Sequence, residues 1–115
     1  MARKTGMNVE FRIWFFKNDE KLLGKGRVEL LERIGKSGSI ASAAKEMKMS
    51  YRQAWQMVNE MNERSGGKLV EKQLGGKDGG GTVVTARGNE AIKCFGELEK
   101  KTRIFLDKEF KKLKI

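Results

Sequence analysis

Residues 38–62, GSIASAAKEMKMSYRQAWQMVNEMN, decide how this chain folds, because they spell two short amphipathic helices separated by a turn. In the first, Ile40, Ala43, Ala44 and Met47 recur at i, i+3, i+4 and i+7 and make one narrow apolar face. The middle of that face is small, as it must be where two helices cross closely. In the second, Tyr51, Ala54, Trp55, Val58 and Met61 form the face expected to be buried, with Trp55 assigned to the core. Arg52, Gln53, Gln56 and Asn59 then point outward. Arginine and glutamine carry forked hydrogen-bonding groups that match the guanine and adenine edges in a DNA major groove. The pattern is a helix-turn-helix, and it argues for duplex DNA as the partner.

The flanking sequence supports an α+β winged helix-turn-helix. Ser50 stands just ahead of the second helix and Gln53 follows three residues later, the pattern of a capping box. After the break at Ser65, Gly66 and Gly67, a strand from Leu69 to Leu74 leads into GGKDGGG at 75–81, and Thr82–Thr85 returns. Two strands around a glycine-rich tip behind a helix-turn-helix make a wing, spanning 69–85. Upstream, Val9, Phe11, Ile13 and Phe15 alternate with Glu10, Arg12, Trp14 and Phe16, which predicts a strand. Asn18 and Asp19 favour a turn, so 9–24 is expected to form a hairpin. From Arg27 the apolar period becomes helical through Val28, Leu30, Leu31 and Ile34, ending near Gly35 and Gly38, and the helical core is set at 27–62. Beyond Thr85, a plausible N-cap, a single long helix is predicted over 86–113.

Composition narrows the functional classes. A chain of 115 residues has room for one domain, and burial of about two-thirds of its unfolded surface suffices for one core. Twenty-five basic against 15 acidic residues give a formal charge of +10, which favours a polyanionic partner and salt-sensitive binding. There is no histidine and one cysteine, Cys94, so the usual zinc sites and histidine-activated nucleophiles are excluded. No enzyme activity, metal or cofactor is expected. Cys94 reads as structural, since redox sensing needs a lowered thiol pKa. The absence of a signal-peptide pattern or a membrane-length apolar run leads to a cytoplasmic expectation without membrane association. The loop GGKDGGG lacks the Gly-Lys-Ser/Thr ending of a phosphate-binding P-loop, so ATP binding is not expected.

GSIASAAK at 38–45, SYRQAW at 50–55, Asn59 with Met61-Asn62, LVEKQLGGKDGGG at 69–81 and Thr85 leading into the last helix together resemble one known group. It is the DNA-binding domain of the molybdate-dependent (ModE-type) transcriptional regulators, related to LysR-type winged helices. The resemblance covers roughly residues 9–110 and implies a sequence-specific transcriptional regulator. Three departures limit what it implies. The 115 residues contain no counterpart of the family's oxyanion-binding modules, so molybdate sensing is not carried over and no small-molecule site is expected. Lys48 stands where such turns commonly use glycine, and a positive φ there costs a lysine roughly 1–2 kcal/mol. Arg52, Gln53 and Gln56 are positions such families vary, so no operator is implied.

The expected DNA-binding set is therefore Ser50, Tyr51, Arg52, Gln53, Gln56 and Asn59 on the second helix, with Lys45, Lys72, Lys77 and Arg87 as phosphate contacts. The long helix continues past the core with Phe95, Leu98, Phe105 and Leu106 on one stripe. These residues are expected to join two copies into a homodimer. The rival reading is a winged helix used as a protein-interaction module without DNA specificity, docking through Trp14 and Phe16 of the hairpin.

Overall fold

The computed structural model describes residues 6–73 and 81–115. In chain order they form β1 (Trp14–Lys17), β2 (Glu20–Gly24), α1 (Lys25–Ser37), α2 (Ile40–Glu46), α3 (Tyr51–Arg64), β3 (Val70–Lys72), β4 (Thr82–Val84) and α4 (Ala86–Phe110). Among the described residues β1 with β2 and β3 with β4 make two antiparallel two-stranded sheets. The architecture is α+β with an N-terminal hairpin, a helix-turn-helix, a wing and a long last helix.

Local chemistry explains most boundaries. Asn18 and Asp19 both take positive φ, 51° and 64°, the requirement of the tight hairpin turn that joins β1 to β2. The pairing runs Trp14 to Gly24 and Phe15 to Leu23, then slips at a bulge between Phe15 and Phe16. Gly38 closes α1 at φ 72°, its N–H donating to the Ile34 carbonyl. Ser39, Ser50 and Thr85 each cap a helix through the side-chain oxygen, accepting from the backbone N–H of Ser42, Gln53 and Gly88. Lys48 adopts the left-handed conformation that the turn requires, φ 57°. The glycine-free turn keeps its geometry and bears the strain.

The core joins Leu23, Leu30, Leu31, Ile34, Met61 and Phe95, all fully buried. Ala43, Ala44 and Ala54 are buried at the α2–α3 crossing, where small side chains let the two helices close. Gly88 is needed where α4 starts against β3, because a Cβ there would collide with the Leu69 carbonyl oxygen.

Four expectations are corrected. Residues 9–13 belong to no strand, and the first strand begins only at Trp14. They lie instead along α4, where the Arg103 guanidinium donates to the Val9 carbonyl at 2.6 Å and sits over the Phe11 ring. The wing strands are shorter than expected, and Leu74 and the tip at 75–80 lie outside the described residues. Trp55 is not in the core: it is 49% exposed, and Tyr51 is 56% exposed. Phe95, expected at the dimer stripe, is 2% exposed and packs on Phe15 with ring centroids 5.2 Å apart.

Candidate nucleic-acid interface

The first turns of α3 present Arg52, Gln53 and Gln56 to solvent. Ser50 fixes where that helix begins by accepting from the Gln53 N–H at 3.0 Å. These exposed side chains therefore project from a capped start rather than a frayed one. Lys45 is exposed in the last turn of α2, next to the start of α3, and Lys72 is exposed on β3. Asn59 is partly engaged, donating to Glu63 within the helix at 3.3 Å. Lys77 lies outside the described residues.

Arg87 is placed elsewhere. Its guanidinium donates to the Ser65 carbonyl at 2.8 Å, and Lys17 donates to the same oxygen at 3.2 Å. Two cations thus meet the negative end of α3, a favourable placement for the helix dipole. That end is a helix length, about 20 Å, from the Ser50 cap. Arg87 is therefore not gathered with Arg52, Gln53 and Gln56 at the start of α3.

Two supports of α3 were not singled out from sequence. On one flank, Glu60 accepts from Arg27 of α1 at 2.6 Å, while Arg64 meets both Glu60, at 3.7 Å, and Glu20 of β2, at 3.4 Å. The bond from Arg27, then the Arg27 and Arg64 charges, hold the Glu60 carboxyl below its ordinary range against partial burial. On the other flank, Asn62 ties α3 to the wing. Its amide donates to the Val70 carbonyl at 2.9 Å and its carbonyl accepts from the N–H of Leu69 and Val70, at 2.9 and 3.2 Å. An asparagine near a helix end gives no pattern that announces such a bridge.

From that tie the wing diverges along α3 and leaves a groove of about 940 Å³, with Tyr51, Trp55 and Asn59 on the helix wall and Lys72 and Gln73 on the strand wall. Cys94 is exposed on α4. Partial desolvation, then the bond to Glu90 and the charges of Glu90 and Glu97, push its thiol up, away from a reactive thiolate.

The model of the bacterial regulatory helix-turn-helix proteins of the LysR family matches residues 26–89, from the start of α1 to the first turn of α4. The chain belongs to that family. The matched stretch contains the whole helix-turn-helix, and the relatives it resembles include ModE-type regulators. Over 69 residues, 60% of this chain and 26% of the relative, it is 46% identical to the "DNA-binding transcriptional dual regulator ModE" of Escherichia coli. Over 77 residues, 67% of this chain and 28% of the relative, it is 43% identical to the "Molybdenum-pterin-binding protein MopB" of Rhodobacter capsulatus. The Azotobacter vinelandii "Molybdenum transport protein ModE" is 37% identical over 86 residues, 75% of this chain and 32% of that protein. The chain thus matches only about a quarter to a third of the length of these relatives. Among the described residues no helix is long and apolar enough to cross a membrane.

Proposed function

We propose that this LysR-family domain binds duplex DNA sequence-specifically as a homodimer and regulates transcription without catalysing a reaction. The observation that carries this is the exposed set Arg52, Gln53 and Gln56 at the capped start of α3. An α-helix fits the major groove, and its N-terminal residues reach the bases first. Lys45 and Lys72 supply phosphate contacts that set register, and Lys77, outside the described residues, is a further candidate from sequence. Ser50 contributes as the cap, and Asn59 is a weaker base contact because Glu63 competes for its amide.

The dimer reading rests on the second half of α4. Leu98, Ile104 and Phe105 are 45%, 60% and 62% exposed, with Leu106 half-buried beside them. Phe95 drops out of that surface, because the chain's own core takes it. A two-fold pair would set two recognition helices about one DNA turn, roughly 34 Å, apart or a larger whole multiple of it, and so prefer a palindromic site.

The test compares Arg52→Ala on a selected cognate duplex and on random duplex at one salt concentration. A loss of about 1–3 kcal/mol on the cognate site, with little on random DNA, is expected. Equal losses on both would make Arg52 a phosphate contact only. The protein-interaction reading draws on Phe16 and Trp14, both exposed on the hairpin, with one part of the Trp14 ring packed on Gly24 and Lys21. It would prevail if the parent chain bound no duplex in a salt-dependent way.

A further inference from the structure

Tyr51 and Trp55 are the large aromatic side chains of α3, and both face the groove beside the wing rather than the core. At about 100° per residue, Tyr51, Trp55 and Asn62 share one strip of α3. The buried centre at Ala54, Val58 and Met61 lies about 75° to one side of it, and Arg52 and Gln56 about 100° to the other. The strip is therefore a flank, neither core nor base-facing. Its far end is closed by the three Asn62 bonds to Leu69 and Val70. From there the groove opens toward Tyr51, with Lys72 on the opposite wall and Ile40 and Val58 at its floor. Among the described residues neither the Tyr51 hydroxyl nor the Trp55 indole N–H has a protein partner.

We infer that this groove is a clamp for one sugar–phosphate strand of the duplex, with Trp55 as its central contact; the inference rests on the DNA-binding reading above. A helix with its side chains is about 10–12 Å across and the major groove about 12 Å wide, so a seated recognition helix meets the bounding backbones with its flanks. The flank beside the wing is the one made of Tyr51 and Trp55. Indole N–H is a donor only, which suits a phosphate oxygen, and the ring face suits the apolar edge of a deoxyribose. Lys72 across the groove supplies the opposite charge, and the chain's formal charge of +10 matches a polyanion. The charged residues of the lining are Lys68, Glu71 and Lys72, cationic on balance, which suits a strand of phosphates better than a neutral free metabolite. Trp55 thus adds affinity that does not depend on sequence and fixes how deeply α3 sits, while Arg52, Gln53 and Gln56 read the bases.

The experiment uses the full chain carrying Trp14→Phe, which leaves Trp55 as the single remaining tryptophan of two. Cognate duplexes are scanned with single methylphosphonates, each neutralising one phosphate. Binding should shield Trp55 from acrylamide. At one or two backbone positions the Trp14→Phe chain should lose about ten-fold in affinity, as expected for a hydrogen bond to a charged group, and Trp55→Phe and Trp55→Ala should lose less there than their parent does. Trp55→Phe keeps an aromatic ring and guards against a folding defect. Three results would overturn the clamp while leaving DNA binding intact: unchanged quenching of Trp55 in the complex, equal methylphosphonate sensitivity in parent and variants, or a Trp55 contribution that appears only when a thymine keeps its methyl against deoxyuridine. A parent that binds no duplex removes the DNA reading and the clamp together.

Discussion

Replacing Asn62 by alanine removes the bridge between α3 and the wing, and the structure sets the size of the effect. Three hydrogen bonds are lost, to the N–H of Leu69, the N–H of Val70 and the carbonyl of Val70. The two receiving residues are 2% and 3% exposed. Each bond contributes about 1 kcal/mol net, and a buried N–H left without an acceptor costs about 1–3 kcal/mol. The groove admits water beside the vacated site, so the sum is held to about 2–4 kcal/mol, a large part of the roughly 5–15 kcal/mol that stabilises a domain. Asn62→Asp separates the parts. Its carboxylate still accepts from both N–H groups but sets an oxygen against the Val70 carbonyl, so its loss should be about 1–2 kcal/mol. Urea unfolding of the three proteins at one protein concentration measures the differences, and duplex binding of the folded variants should weaken on all sequences alike as the wing loosens. An Asn62→Ala chain within about 0.5 kcal/mol of the parent would refute the reasoning, since surface substitutions without structural partners fall in that range.

Lys48→Gly should stabilise the domain: relief of a left-handed lysine is about 1–2 kcal/mol, offset by about 0.5–1 kcal/mol for glycine's larger unfolded freedom, and thermal unfolding showing a loss would contradict the strain. Glu60 titrates below its ordinary range when folded because of the Arg27 bond first and the neighbouring charges next. Its contribution is therefore complete above the unfolded value of about 4.3 and disappears as pH falls through the folded value. Glu60→Gln should lower stability at neutral pH and flatten the decline between about pH 5 and 3; unfolding free energies, measured by chemical unfolding at each pH, that fall equally steeply with pH in parent and variant would exclude that role. Leu98→Glu combined with Phe105→Glu should give a folded monomer with much weaker DNA binding, because each apolar side chain loses about 1.5–3 kcal/mol of burial in the pair. Sedimentation of the parent at micromolar concentration as a clean monomer would remove the dimer.

Much of the molecule is legible from the order of its residues. The Asn18-Asp19 turn, the caps at Ser50 and Thr85, the two helices of the motif and the long last helix all follow from chemistry between near neighbours. The exposed set Arg52, Gln53 and Gln56 follows too, because it lies opposite an apolar face whose period is unambiguous. Lys77 could be named from the loop, but it falls outside the described residues.

What periodicity could not decide was the fate of residues at the border of an apolar face. Tyr51 and Trp55 lie on the helical stripe of Ala54 and Val58, yet whether a border residue is covered depends on what stands beside it, and there the wing diverges instead of closing. Phe95 and Leu98 share the α4 stripe, but the hairpin reaches only the first, through Phe15, and leaves the second in water. Residues 9–13 alternate as a strand should, yet strand structure needs a partner's backbone, and β2 ends at Gly24 opposite Trp14. Arg87 carries the charge for a phosphate contact, but the turn after α3 brings the Ser65 carbonyl to it first. Sequence by itself determined which faces are apolar and where helices begin, because those depend on neighbours one to four residues apart. Tertiary structure decided which apolar residues are covered and which cations are already engaged, because those depend on elements brought together from distant parts of the chain.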